Sequence, residues 1–146
     1  MIVRPLADDE LALVDSRLPL HRLDQGDGFY LVAWDRADPA GHAYLALTNP
    51  PELQDVYVLP ELRRRGVATS LPAAAEGESV ARGFDRLTLS VDVENGEARG
   101  LYERLGYLET GAVPVRRQGT IMLRGEPFRF DATLAYLSKR LEPGSG

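Results

Sequence analysis

A strand that turns at a proline and runs into three arginines and a glycine constrains this chain most. It reads Gln54-Asp55-Val56-Tyr57-Val58-Leu59-Pro60-Glu61-Leu62-Arg63-Arg64-Arg65-Gly66-Val67-Ala68-Thr69. The apolar residues 53–59 predict a strand, and the helix that follows is expected to run from about Gly66 to Arg82, where Gly83 can cap it. Some thirty residues after Gly66 comes Asn95-Gly96-Glu97-Ala98-Arg99-Gly100-Leu101-Tyr102-Glu103-Arg104-Leu105-Gly106-Tyr107. Asn95 is a good N-cap, and Ala98, Leu101, Tyr102 and Leu105 recur at the spacing of one helical face. Backbone N–H groups at a helix start are unpaired and sit at the positive end of the helix dipole, so they bind phosphate. Flanking arginines add charge-assisted bonds to the same anion. A tyrosine on a second helix could supply a proton beside the bound ligand. The two segments together suggest an enzyme that uses a phosphorylated cofactor.

Each segment also has a plainer reading. The first could be a basic loop at a helix start, and it is not a P-loop, because no Gly-Lys-Ser/Thr follows. In the second, Tyr102 could be a core residue with its hydroxyl at the rim, and Asn95 simply a cap.

The remaining elements follow from local pattern. Residues 2–6 suit a strand and residues 8–17 a helix with acids in its first turn. Phe29–Trp34 and His42–Thr48 read as a hairpin around turn chemistry at Asp38-Pro39-Ala40-Gly41. Arg86–Val91 reads as a strand, and another starts over Tyr107–Gly111. Residues 115–123 and 130–138 suit strands joined through Gly125-Glu126-Pro127. In Gly66–Arg82, Pro72 is expected to kink or distort the helix. Hairpins first and helical crossovers later imply a mixed α/β (α+β) fold: a mostly antiparallel sheet of six to seven strands flanked by helices.

With 146 residues, 44% of them hydrophobic, the chain suits one domain over 1–141, followed by a flexible tail at 142–146. It has no cysteine, so disulfides, thiolate metal sites and cysteine nucleophiles are excluded. Two isolated histidines, His21 and His42, argue against a metal site. A net charge of −5 argues against nucleic acid as the main partner. No run of about 18 apolar residues predicts a membrane span, and no leader is evident, so a cytoplasmic protein is expected.

The joint pattern resembles the GNAT superfamily, the GCN5-related N-acetyltransferases. Arg63-x-x-Gly66-x-Ala68, preceded by Val56-Tyr57-Val58-Leu59-Pro60-Glu61, is similar to the family's Gln/Arg-x-x-Gly-x-Gly/Ala turn. Asn95, Ala98, Leu101, Tyr102, Gly106 and Tyr107 match its Asn-x-x-Ala-x-x-Leu-Tyr-x-x-x-Gly-Phe/Tyr segment. Only residues 54–107 carry specific motifs. The resemblance implies the GNAT fold and acetyl-CoA as co-substrate, with no metal. The loop amides from Arg64 to Thr69 (Arg64, Arg65, Gly66, Val67, Ala68, Thr69) would hold the diphosphate, helped by the side chain of Arg63 or Arg65. Backbone groups of Val56, Tyr57 and Val58 would pair with the pantetheine arm, Asn95 would contact the cofactor, and Tyr102 would protonate the leaving thiolate.

The catalytic base stays open between Glu52 and Asp55. Alternation places Glu52 and Gln54 on one face and Asp55 on the other, unless a bulge reverses it. The acceptor is a small-molecule or peptide amine, and the protein a monomer or homodimer. A non-catalytic CoA-binding module and a nucleotide-binding domain of another fold are the rival readings.

Overall fold

Alternation along the middle strands divides the interior into two layers. The computed structural model describes residues 1–63, 65–123 and 125–142. Its strands are β1 (Ile2–Pro5), β2 (Gly28–Asp35), β3 (Asp38–Ala46), β4 (Glu52–Val58), β5 (Arg86–Asp92), β6 (Leu108–Glu109), β7 (Val115–Leu123) and β8 (Glu126–Arg140). The helices are α1 (Leu11–Arg17), α2 (Val67–Ala81) and α3 (Gly96–Arg104). Leu31, Ala33, Leu45 and Leu53 turn to one side of the sheet and pack with Val67, Leu71 and Ala75 of α2. Tyr30, Val32, Trp34 and Tyr44 turn to the other and pack with Val14 and Leu18 of the α1 segment. Period-two alternation in β2 produces this division, since successive side chains point to opposite faces.

The strands form one sheet in the order β1-β2-β3-β4-β5-β8-β6, with β7 pairing β8 beyond it. β4 and β5 are parallel, and the other pairs are antiparallel. The sheet is the mixed, mostly antiparallel one expected. The strand expected after Tyr107 is the two-residue β6.

Two turn expectations are corrected. Asp38-Pro39-Ala40-Gly41 is strand, and the hairpin turn lies at Arg36-Ala37, with Arg36 at φ +59°. Pro39 is tolerated because its pairing sits at a register shift opposite Ala33 and Trp34, where the ladder is already interrupted. Gly41 is there for space, since a Cβ would stand 2.7 Å from the Tyr57 carbonyl oxygen. Similarly, Glu126 and Pro127 begin β8, which is longer at both ends than expected. Its N-terminal half and β7 form a long hairpin projecting past the end of β5.

α2 buries the stripe Val67, Leu71, Ala75 and Ser79, four residues apart. Truncating the fully buried Leu71 to alanine would cost about 2–5 kcal/mol. Pro72 is the sixth residue of this helix and is buried, and the helix runs on through it to Ala81. The expected distortion therefore does not divide the helix. Having no N–H, the proline leaves the Ala68 carbonyl without its ladder donor. Of the expected tail, residues 143–146 lie outside the described residues.

Candidate active site

β4 and β5 pair only at Glu52 with Thr88 and Leu53 with Leu89, and then separate. β5 stays paired to β8 along its whole length, so β4 is the strand that departs. A bulge bends it: Tyr44 faces Gln54 and His42 faces Tyr57, which leaves Asp55 and Val56 against the single residue Ala43. Asp55 sits at φ +49°, the conformation this extra residue requires. The bulge corrects simple alternation. Asp55 turns to the α1 face, as Glu52 and Gln54 do, while Val56 packs with the α2-side core. A cavity of about 690 Å³ opens at the split, bounded by β4, β5, α3 and the β7–β8 hairpin.

On one side of the split lies the start of α2. Gly66 is its N-cap, at φ +81°. A side chain at that φ is strained, although the space beside it is open. Its carbonyl accepts the Thr69 hydroxyl at 2.9 Å. The amides of Gly66, Val67 and Ala68 have no acceptor among the described residues, as expected at a helix start. Arg63 Nε donates to the Val58 carbonyl at 3.1 Å, and its guanidinium lies over the Tyr57 ring. Arg65 is exposed and reaches Asp35 at 3.8 Å. Arg64, expected at the same loop, lies outside the described residues. The Leu59 amide donates to Ala40 across the β3 ladder, so by alternation Val58 turns its backbone groups to the open edge of β4. With the Val58 carbonyl bonded to Arg63, its N–H is the group left on that edge.

α3 forms another wall. Asn95 Oδ1 accepts the Ala98 amide at 3.1 Å, which is the capping bond expected. Both residues line the cavity, with Tyr102 beyond them. Tyr102 is only 8% exposed, and its hydroxyl has no partner among the described residues. Burial pushes this phenol up to about 12. Tyr107 stands edge-on behind it at 5.9 Å and donates to Glu76, which is also paired with Lys139. That contact fixes the rear of the Tyr102 ring.

The third wall gathers residues that sequence spacing kept apart. Asp55 Oδ2 accepts the Tyr30 hydroxyl at 2.5 Å and the His21 amide at 3.1 Å. Asp55 Oδ1 lies 2.9 Å from His21 Nδ1. His42, wholly buried, stands 3.9 Å away through its own Nδ1, and burial lowers its pKa. Desolvation and the Asp55 charge push the Tyr30 phenol well above its usual range. Gln54 accepts from Gln25, whose amide also reaches Asp27. Glu52 faces the cavity with no such partner among the described residues. The two histidines read as isolated are thus brought to one carboxylate. The signal that could have found them was the bulge, which a strand pattern does not print. Even so, the described residues contain no group of three or more His, Cys, Asp or Glu placed to hold a metal.

A curled mixed sheet whose central parallel pair parts beside a glycine-capped helix defines a mixed α/β fold of the acetyltransferase type. The sequence pattern of the acetyltransferase (GNAT) family matches residues 4–107, and the chain belongs to that family. Solved structures agree in fold. The ribosomal-protein-S18-alanine N-acetyltransferase from Escherichia coli superposes with a TM-score of 0.73 at 18% identity, covering 97% of this chain and 94% of that one. A GNAT family acetyltransferase from Elizabethkingia anophelis with acetyl-CoA bound gives 0.73 at 14% identity, covering 96% and 97%. The spermidine N-acetyltransferase from Vibrio cholerae in complex with CoA and spermine gives 0.69 at 18% identity, covering 97% and 96%. Among the described residues no helix is long and apolar enough to cross a membrane.

Proposed function

We propose that this protein transfers an acetyl group from acetyl-CoA to a primary amine by direct attack. The observation that carries the reading is the parting of β4 and β5 after Leu53 and Leu89, beside the amides of Gly66, Val67 and Ala68, which have no acceptor among the described residues. The chain offers what an extended acyl donor with a diphosphate needs. The α2 amides supply donors for the anion, with Arg65 free to swing from its exposed contact with Asp35. The open edge of β4 supplies backbone groups for an amide-bearing arm, in the manner of an added strand. Arg63 shapes that edge by holding the Val58 carbonyl, and the Val58 N–H is left to steady the thioester oxygen.

Tyr102 carries its proton throughout the ordinary pH range because burial keeps it neutral. It can therefore donate to a departing thiolate. Deprotonation of the incoming amine falls to the β4 acids, Glu52 directly or Asp55 through its partners. Asn95, already used as a cap by its oxygen, keeps its amide nitrogen for the cofactor.

The acceptor class is a small-molecule or peptide amine. The neighbours' names include a polyamine in one case and a protein alanine in another, which supports that breadth and no finer choice. We place this activity in one domain over residues 1–141, acting as a monomer or homodimer.

The test is thiol release from acetyl-CoA across a panel of polyamines, amino-acid amides and short peptides, alongside calorimetric titration with CoA. Binding with amine-dependent turnover is expected. Binding without turnover on any amine would replace the enzyme with a CoA-binding module. Preference for ATP or NAD over CoA would overturn the donor.

A further inference from the structure

We propose that His21 is the base that takes the proton of the acceptor amine, through Nε2, and that Asp55 is the positioning residue that holds its ring. The inference rests on the acetyl-transfer reading above and assigns the step left there to Glu52 or Asp55.

Asp55 is not free to act alone. Its two oxygens receive the Tyr30 hydroxyl, the His21 amide and His21 Nδ1, all within 3.1 Å. A carboxylate so occupied is a firm anchor for the ring beside it. As an acceptor, it requires the hydrogen of the His21 ring to sit on Nδ1. The ring's other nitrogen then carries the lone pair. His21 Nε2 is buried and has no hydrogen-bond partner among the described residues. An orphaned buried acceptor is costly unless something visits it. His21 belongs to the lining of the same cavity as Tyr102 and Glu52. Phe128, reaching over from β8, packs on the ring with centroids 5.4 Å apart. The ring is therefore held at three points: its backbone amide, its Nδ1 and one face.

The groups facing His21 set its charge. Asp55 comes from β4, Tyr30 from β2 and His42 from β3, and the chain neighbour Arg22, Glu52 and Arg117 of the hairpin share the cavity. His42 is wholly buried and kept neutral by desolvation, and Tyr30 keeps its proton. Within the cluster, Asp55 is thus left with one partner that can become a cation, the His21 ring. A ring that gains a proton from the amine gains that carboxylate's attraction at the same moment, the logic of a histidine oriented by a buried aspartate.

The proton bookkeeping closes. His21 Nε2 takes one proton from the ammonium and returns it to solvent. The neutral amine forms the N–C bond as the C–S bond breaks. The thiolate takes the Tyr102 proton, and the proton lost by the new amide nitrogen restores the tyrosine through solvent.

The experiment uses the full chain, with acetyl-CoA and the best amine of the panel. His21→Ala should lower kcat by 10²–10⁴-fold with CoA affinity unchanged. The ascending limb of rate against pH seen in the native protein should vanish in this variant. Added imidazole should restore part of the rate. Asp55→Asn should lower kcat more than it raises KM and release the ring from one tautomer in long-range ¹H–¹⁵N spectra. Those spectra should show the hydrogen on His21 Nδ1 in the native protein, with or without turnover. A native ring protonated on Nε2 overturns the inference, as does a His21→Ala enzyme with the native rate and pH profile. Loss of CoA binding in the native protein would instead fail the acetyl-transfer reading, and the base assignment would fall with it.

Discussion

The two sides of the split sheet are built on opposite plans. The side proposed to hold the donor is backbone: amides at the start of α2 with no acceptor among the described residues, a glycine at φ +81° and the edge of β4 that parts from β5. The side proposed to hold the acceptor is side chain: Asp55 bonded to His21 and Tyr30, and Gln54 bonded to Gln25, two groups that tie β4 to β2 and to the segment before it. Backbone groups accept any donor with the same phosphate and amide geometry, whatever side chains surround them. A side-chain web is tuned by each residue and can change with the acceptor. The donor side therefore carries a short recognisable motif, and the acceptor side carries none.

Substitutions can break that contrast. The largest effect is expected at Gly66→Asp, which adds strain at a positive φ and a negative charge beside the amides of Val67 and Ala68. CoA affinity should fall by at least about 100-fold, roughly 2.8 kcal/mol, while the circular dichroism spectrum is retained. An unchanged titration would remove the anion site from the start of α2.

Next is Tyr102→Phe. It removes a hydroxyl that has no protein partner among the described residues, so packing should survive. The maximal rate should drop roughly 10²-fold with donor affinity little changed. Because the phenol is held at about 12, the native rate should show no loss from its ionisation until about pH 11. A Phe variant at near-native rate would make Tyr102 a packing residue.

A smaller change should follow Glu52→Gln. If the His21 and Asp55 pair is the base, this variant keeps the ascending pH limb and loses less than about tenfold in kcat. A vanished limb would move the base to Glu52 and make the side-chain web structural.

The smallest effect belongs to Pro72→Ala. An interior proline costs a helix about 3 kcal/mol in general. Here α2 already continues through it, so thermal denaturation should shift modestly and CoA affinity by less than about tenfold, or 1.4 kcal/mol. A larger loss of affinity would mean that the proline shapes the start of α2.

Much of the molecule was legible in the chain. The strand before Pro60, the helix opening at Gly66 and the Asn95 cap are local events. Each is set within a few residues by apolar periodicity, by glycine's freedom at positive φ and by a side chain bonding its own backbone. The match to the family pattern over residues 4–107 rests on the same local signals. The extent of β8 was not legible, because Glu126 and Pro127 become strand only through pairing with β7.

What the sequence determined by itself is the half proposed to hold the donor: strand, glycine turn and tyrosine helix, each a consequence of neighbours in the chain. Only the tertiary structure decided the half proposed to hold the acceptor. Asp55 lies 34 residues from His21 and meets it because one extra residue in β4 turns the carboxylate toward the α1 face. Strand alternation predicts the opposite face, and a bulge depends on how β4 fits β3, which no local pattern encodes.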